Sequence, residues 1–160
     1  MTYLYLKYLH VIAAVFLFGF GMGSYLYLIA ARNTRDPQVI AHVARMVVRF
    51  DTWITTPAGV LQLGTGLGML HLTGMSPASP WLRDALILFA AVGLLWLPVL
   101  VLQKRMQRLA EETARQGLPL PASWDALFRP WFWLGVAGFA GMFVMVMLMV
   151  TKRGLFGFIQ

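Results

Sequence analysis

The sequence predicts an all-α integral membrane protein, a four-helix bundle with a short interfacial helix between its first two spans, on three observations. Hydrophobic residues make up 59% of the chain and charged residues 12%, against about 25% charged in soluble domains. Four apolar segments, 3–31, 51–73, 81–103 and 131–151, each reach the length of about 20 residues that crosses a hydrocarbon core of roughly 30 Å. Basic residues collect in two of the three connections between them. The 160 residues read as a single membrane domain.

The first segment opens with Tyr3, Lys7 and His10 and continues apolar to Ala31. At 100° per residue, Tyr3, Lys7, His10, Ala14, Leu17, Gly21, Ser24 and Leu28 share one face. That face gathers the segment's lysine, histidine and serine. An ionisable side chain inside a membrane helix is costly, and so points to function. The opposite side carries Gly19 and Gly23, a GxxxG pair of the kind that lets membrane helices approach closely. No cleavable leader is expected, because the run exceeds the usual h-region of about 7–15 residues and lacks a basic preface.

Asp36 followed by Pro37 is a helix start, an N-cap with proline in the first turn. From Val39, apolar residues interleave with His42, Arg45 and Arg49 at helical spacing, which predicts a short helix lying at the membrane interface. Gly74 to Pro80 is a turn-rich loop. The third span continues as a charged helix over 103–115 and breaks at Gly117-Leu118-Pro119-Leu120-Pro121. Pro57 and Pro98 are expected to bend their helices and free backbone carbonyls, with Thr55 and Thr56 at hand to satisfy some of them. Asp51 is expected to favour the helix dipole at the start of the second span, with proton transfer as the alternative role.

Orientation follows from the basic residues. Nine lie in the first and third connections (Arg32, Arg35, Arg45, Arg49, Lys104, Arg105, Arg108, Arg115, Arg129), and four lie on the other side (Lys7, Arg83, Lys152, Arg153). The positive-inside rule then puts those connections in the cytoplasm and both termini in the periplasm of a bacterial inner membrane. The net charge of +7 fits anionic lipid rather than nucleic acid, since no basic run is interleaved with exposed aromatics.

The chain has no cysteine, which removes disulfides, thiolate metal sites and iron–sulfur clusters. It has no paired carboxylates within the spans, no Ser/His/Asp set and no phosphate-binding glycine loop, so hydrolytic chemistry finds no support. His10 and His71 both fall in the outer half, whereas His42 is on the cytoplasmic side. Two histidines on different helices suit bis-imidazole haem ligation, and one suffices for a five-coordinate haem. Lys7 and Arg83 are the candidate partners of the haem propionates. On the second helix Asp51, Thr55, Gln62, Thr65 and Met69 form one stripe, and His71 lies on the other side with Trp53, Gly64 and Gly68; either face is open to His10. On the fourth span Trp131, Gly135, Gly138, Met142, Met145 and Met149 share a face, and its methionines with the histidines form an alternative Cu(I) ligand set.

Lys7-x-x-His10, the stretch from Arg32 to Pro37, Asp51-Thr52-Trp53 with Thr55-Thr56-Pro57, Leu61-Gln62 and Trp96-Leu97-Pro98 resemble, over essentially the whole chain, an uncharacterised family of four-helix bacterial inner-membrane proteins. More distantly, the Lys-x-x-His opening is similar to the haem-containing membrane protoporphyrinogen oxidases and to the membrane domain of the copper-resistance D proteins. The first of these implies b-type haem on His10, and the second implies copper handling. The leading expectation is therefore a haem b protein that relays electrons or senses redox state, alone or as a component of a membrane oxidoreductase. The alternatives are copper binding or transport through His10, His71, Met142, Met145 and Met149, and a cofactor-free accessory subunit. In that last case a homodimer or larger membrane complex would form through Gly19 and Gly23.

Overall fold

The computed structural model describes residues 1–158. These form α1 (Thr2–Thr34), α2 (Pro37–Phe50), a π-helical segment (Asp51–Thr55), α3 (Thr56–Thr73), α4 (Pro80–Gln116), α5 (Ala122–Thr151) and a 3-10 turn (Leu155–Phe158). The described residues contain no strand. Helices α1, α4 and α5 are long and apolar enough to cross a membrane. The second expected span is helical throughout, but α3 is shorter at 18 residues. Its glycines, Gln62, Thr65 and His71 make it less apolar than the other three.

Local chemistry accounts for most of the boundaries. The Asp36 carboxylate accepts from the Gln38 N–H at 2.8 Å, with Pro37 in the first turn, as an N-cap does. Gly74 and Gly117 end α3 and α4 in the left-handed conformation, at φ 62° and 66°, where a residue without a Cβ is unstrained. Lys152 ends α5 at φ 58°.

One boundary departs from expectation. Asp51 is not at a helix start, because the chain stays helical from Pro37 through the π segment to Thr73. The dipole role given to Asp51 therefore falls, since its N–H and C=O are part of a continuing ladder. The wide turn lies just ahead of Pro57, which has no N–H to donate. The Thr56 backbone N–H and hydroxyl, the latter at 2.6 Å, both donate to the Asp51 carbonyl.

The buried stripe of this long helix runs Ile40, Ala44, Val47, Asp51, Thr55, Ala58 and Thr65, with Gln62 half-buried. The short helix between spans is thus present, and its apolar face is taken by protein. Ile40, Ala41, Ala44 and Val47 are buried, and α2 packs closely on α4 and α1.

Close backbone approach joins α1 with α3, α4 with α5, and α2 with both α4 and α1. The densest core therefore sits at the end carrying the basic connections, hereafter the basic end. There Leu28, Ile40, Met106, Ala110 and Trp124 are fully enclosed. The Trp124 indole N–H donates to the Met106 carbonyl at 3.1 Å. Arg32 and Arg35 clamp Asp125 at 2.8 Å and 3.1 Å, and Arg45 pairs with Glu111 at 2.8 Å.

Toward the end carrying both termini, α1 with α3 and α4 with α5 are two pairs that meet through long aromatic side chains. Phe18 lies against Phe143 with ring centres 5.4 Å apart. Large apolar side chains such as Val60, Leu94, Trp133 and Val150 are exposed on the outside of the bundle, where lipid replaces water as the neighbour.

Candidate functional site

His10 sits on α1, where α3 lets its ring come close. The pairs Leu6 with Gly68, His10 with Gly66, Leu17 with Gly59 and Gly21 with Thr55 descend in step. They fix an antiparallel register with glycine wherever α1 presents bulk. A Cβ on Gly66 would stand 3.2 Å from His10 Cε1, so this glycine makes room for the imidazole.

In that register the polar stripe, not the His71 face, meets His10. Nδ1 lies 3.0 Å from the Thr65 hydroxyl and Nε2 lies 2.8 Å from the Gln62 amide nitrogen. The Thr65 hydroxyl donates to the Leu61 carbonyl at 2.6 Å, so it accepts from His10 Nδ1–H. The Gln62 amide then donates to the Nε2 lone pair, and the imidazole is neutral. Gln62 Oε1 is buried without a partner.

Positive charge rims this site. Lys7 is exposed one helical turn closer to the terminus. Lys152, at the end of α5, stacks over the Trp81 ring at 3.9 Å and is near enough for its charge to reach His10. Burial, and after it the Lys7 charge, pushes the Lys152 ammonium below the ordinary lysine value. No carboxylate pairs with Lys7 or Lys152 among the described residues. Arg83 is less free, since its guanidinium pairs with buried Asp84 at 2.9 Å. Asp84 in turn accepts from the Leu155 N–H at 2.9 Å and so ties down the segment after α5.

A second polar cluster lies at the basic end. Asp51 is 3% exposed. It accepts from the Thr55 hydroxyl at 3.0 Å and from the Gln103 amide at 2.7 Å. The Trp131 indole N–H reaches Gln103 Oε1 at 3.4 Å, and Ser24 Oγ is buried with no partner. Ser24, Asp51 and Gln103 line a cavity of about 50 Å³ together with Tyr25, Trp96 and Trp131.

The other expected residues fall as follows. His71 is exposed in the last turn of α3, and His10 is hydrogen-bonded to Gln62 and Thr65 rather than to it. Met142, Met145 and Met149 are half-buried on α5, and Met142 lines the cavity beside Asp51. The described residues contain no cluster of three or more His, Asp or Glu side chains able to hold a metal ion.

Gly19 and Gly23 take no part in close packing within the chain. A Cβ on Gly19 would meet nothing within 4 Å, and both glycines line an open groove with Phe16, Phe20, Tyr27 and Phe50. Lys152 and Ser24 are the site residues that sequence reasoning left unassigned. The register between α1 and α5 is what brings Lys152 to Lys7, and only the face shared with His10 hinted at Ser24.

Residues 4–153 match a family model described as predicted integral membrane protein, DUF2269. No curated protein matches, and no solved structure does. The likeness to the protoporphyrinogen oxidases and to the copper-resistance D domain thus finds no support there and rests on the Lys7-x-x-His10 motif.

Proposed function

The chain belongs to this family of integral membrane proteins, and from that premise we propose that it binds b-type haem on His10 and has a redox role in a bacterial inner membrane. The observation that carries the reading is the state in which His10 is held. Its Nδ1–H is anchored on Thr65 and its Nε2 lone pair is presented, the tautomer and orientation a ligating imidazole needs. Gln62, whose own carbonyl oxygen is buried without a partner, is the side chain that would give way at Nε2. The residues present fit the group in two further respects. The helix pairs α1/α3 and α4/α5 are not closely joined at this end, and Lys7 with Lys152 offers unpaired cations on the rim for the propionates.

A second ligand to the iron would come from α5 rather than from His71. Along α1 and α5, Tyr25 with Phe132, Gly21 with Phe139 and Phe18 with Phe143 are in contact. Eight residues on from that last pair stand His10 and Thr151, so Met149 lies within about one 5.4 Å turn of the depth of His10. A thioether and an imidazole would together hold haem iron. Bound haem would supply one-electron transfer. The protein would orient the imidazole, neutralise the propionates and exclude water. With the basic connections cytoplasmic, the site lies in the periplasmic half of the bilayer.

A dithionite-reduced minus oxidised spectrum of the detergent-purified protein, with a pyridine haemochrome assay, tests this. A sharp α-band near one haem per chain is expected, lost in His10→Ala and kept in His71→Ala. A colourless protein from haem-replete cells overturns the reading. Copper in that preparation, lost with His10, would instead support the metal-transport alternative, and neither metal nor haem would leave an accessory subunit.

A further inference from the structure

The second polar cluster is independent of the haem reading and lies near the other end of the bundle. We propose that the cavity between Ser24, Asp51 and Gln103 is a binding site for one sodium-sized monovalent cation. Asp51 is a carboxylate 3% exposed, and no arginine or lysine pairs with it among the described residues. An uncompensated charge in such a place is costly.

The neighbours treat Asp51 as ionised. Thr55 donates to Oδ1 and Gln103 donates to Oδ2, and Trp131 on the Gln103 carbonyl keeps the amide nitrogen turned toward Asp51. Two neutral donors spread the charge without cancelling it. The groups facing the carboxylate from the packed elements are Ser24 and Tyr25 on α1, Gln103 on α4 and Trp131 on α5. All of these are uncharged.

The second observation is Ser24. The residue is 5% exposed, and its hydroxyl is buried without a partner. Ser24 lines the same cavity as Asp51 and Gln103 and also borders the open groove at Gly19 and Gly23. Buried hydroxyls are almost always hydrogen-bonded, so an orphan on the wall of a cavity it shares with an unbalanced carboxylate points to a ligand that bonds both. The cavity of about 50 Å³ exceeds the roughly 10–15 Å³ that one water needs on the same measure, so a small ion with its waters fits. The polar groups on its wall are oxygens, which select hard cations, set in an otherwise apolar lining that includes Met142. One carboxylate balances one positive charge, whereas a divalent ion would leave the apolar interior with an excess. Thr55, beside Asp51, and the π-helical turn that carries both would then be part of the ion's coordination frame.

The test is thermal unfolding of the full chain in detergent near pH 8, at constant ionic strength, in sodium, potassium or choline chloride. Sodium should raise the midpoint saturably, on the order of a few degrees, with potassium weaker and choline without effect. The rise should vanish in Asp51→Asn and shrink in Ser24→Ala, which keeps the carboxylate and removes only the orphan hydroxyl. Radioactive sodium binding to Ser24→Ala provides a measure that does not depend on stability. Equal melting in the three salts, or a sodium effect that both variants retain, overturns the proposal. So does a stability that follows pH alone, because the occupant would then be a proton on Asp51.

Discussion

Tyr25 occupies the space that a side chain at Gly135 would need. The phenol donates to the Phe132 carbonyl at 2.8 Å, and its ring packs on Trp131 and Phe139 at 5.0 Å and 5.4 Å between centres. A Cβ at Gly135 would overlap that ring, falling 2.8 Å from Cδ2, and the ring cannot swing aside without losing the hydrogen bond. Gly135→Ala should therefore cost about 1–3 kcal/mol, the usual range for overpacking a filled site. Gly19→Ala, where a Cβ meets nothing within 4 Å, should leave stability at or slightly above the native value. Thermal unfolding in detergent compares the two directly, and equal loss in both would disprove the contact.

Two tryptophans on α5 should behave oppositely. Trp124 is fully enclosed and bonded to the Met106 carbonyl, whereas Trp133 is 67% exposed on the outer face. Trp124→Ala should lose about 3–5 kcal/mol, as large-to-small changes in packed cores do. Trp133→Ala should lose well under half of that, because lipid or detergent fills its place. Denaturation midpoints of the two variants decide it.

The ion pair between Arg45 and Glu111 makes a pH prediction. Hydrogen bonding from Gln107, then from Arg45, holds the Glu111 carboxyl below its ordinary value. A carboxyl depressed in the folded state contributes stability above the unfolded value of 4.5, and that contribution is lost as pH falls through the folded value. With the Arg45 side chain 52% exposed, solvent screening limits the pair to about 0.2–1 kcal/mol. The stability difference between native protein and Glu111→Gln should be constant from pH 6 to 8 by order-of-magnitude reasoning, and should shrink below about pH 4.5. A difference that grows on acidification would contradict the assignment.

Asp36→Ala removes the acceptor for the Gln38 N–H and should cost about 0.5–2 kcal/mol. Hydrogen exchange should show the loss first at the start of α2. Uniform loosening of the bundle would point to another cause.

How far the sequence carried depended on what each feature needs. Helix identity, the Asp36–Pro37 start and the stops at Gly74 and Gly117 are local properties, and these were legible. The inward face of α1 was legible from periodicity alone, since Gly21, Ser24 and Leu28 are all buried. What was not legible depends on register between helices. The stripe of Gln62 and Thr65 was identified on α3, yet only the step-by-step pairing with α1 selects it for His10. The glycines that enable close approach are Gly66, Gly68, Gly135 and Gly141, whereas Gly19 and Gly23 had the recognisable spacing but face outward. Asp51 was misplaced because its role as a helix start assumed a break that the chain never makes.

The wide turn at Asp51–Thr55 acts as a phase adjuster. Its bonds run from residue i to i+5 rather than i+4, so it takes in one residue more than an α-turn, while the buried stripe continues through Val47, Asp51, Thr55 and Ala58. The turn absorbs that residue, and one rigid rod addresses α4 with one half and His10 with the other. Deleting a single residue within Thr52–Ile54 would turn the wide turn into an ordinary α-turn and leave both halves in their present phase. Adding a residue elsewhere in α2 or α3, where no wide turn absorbs it, would rotate one half by about 100° and turn either Ile40, Ala44 and Val47 or Gln62 and Thr65 outward. The rod thus carries its one residue of slack at Asp51–Thr55, and the two ends of the bundle are held in step around it.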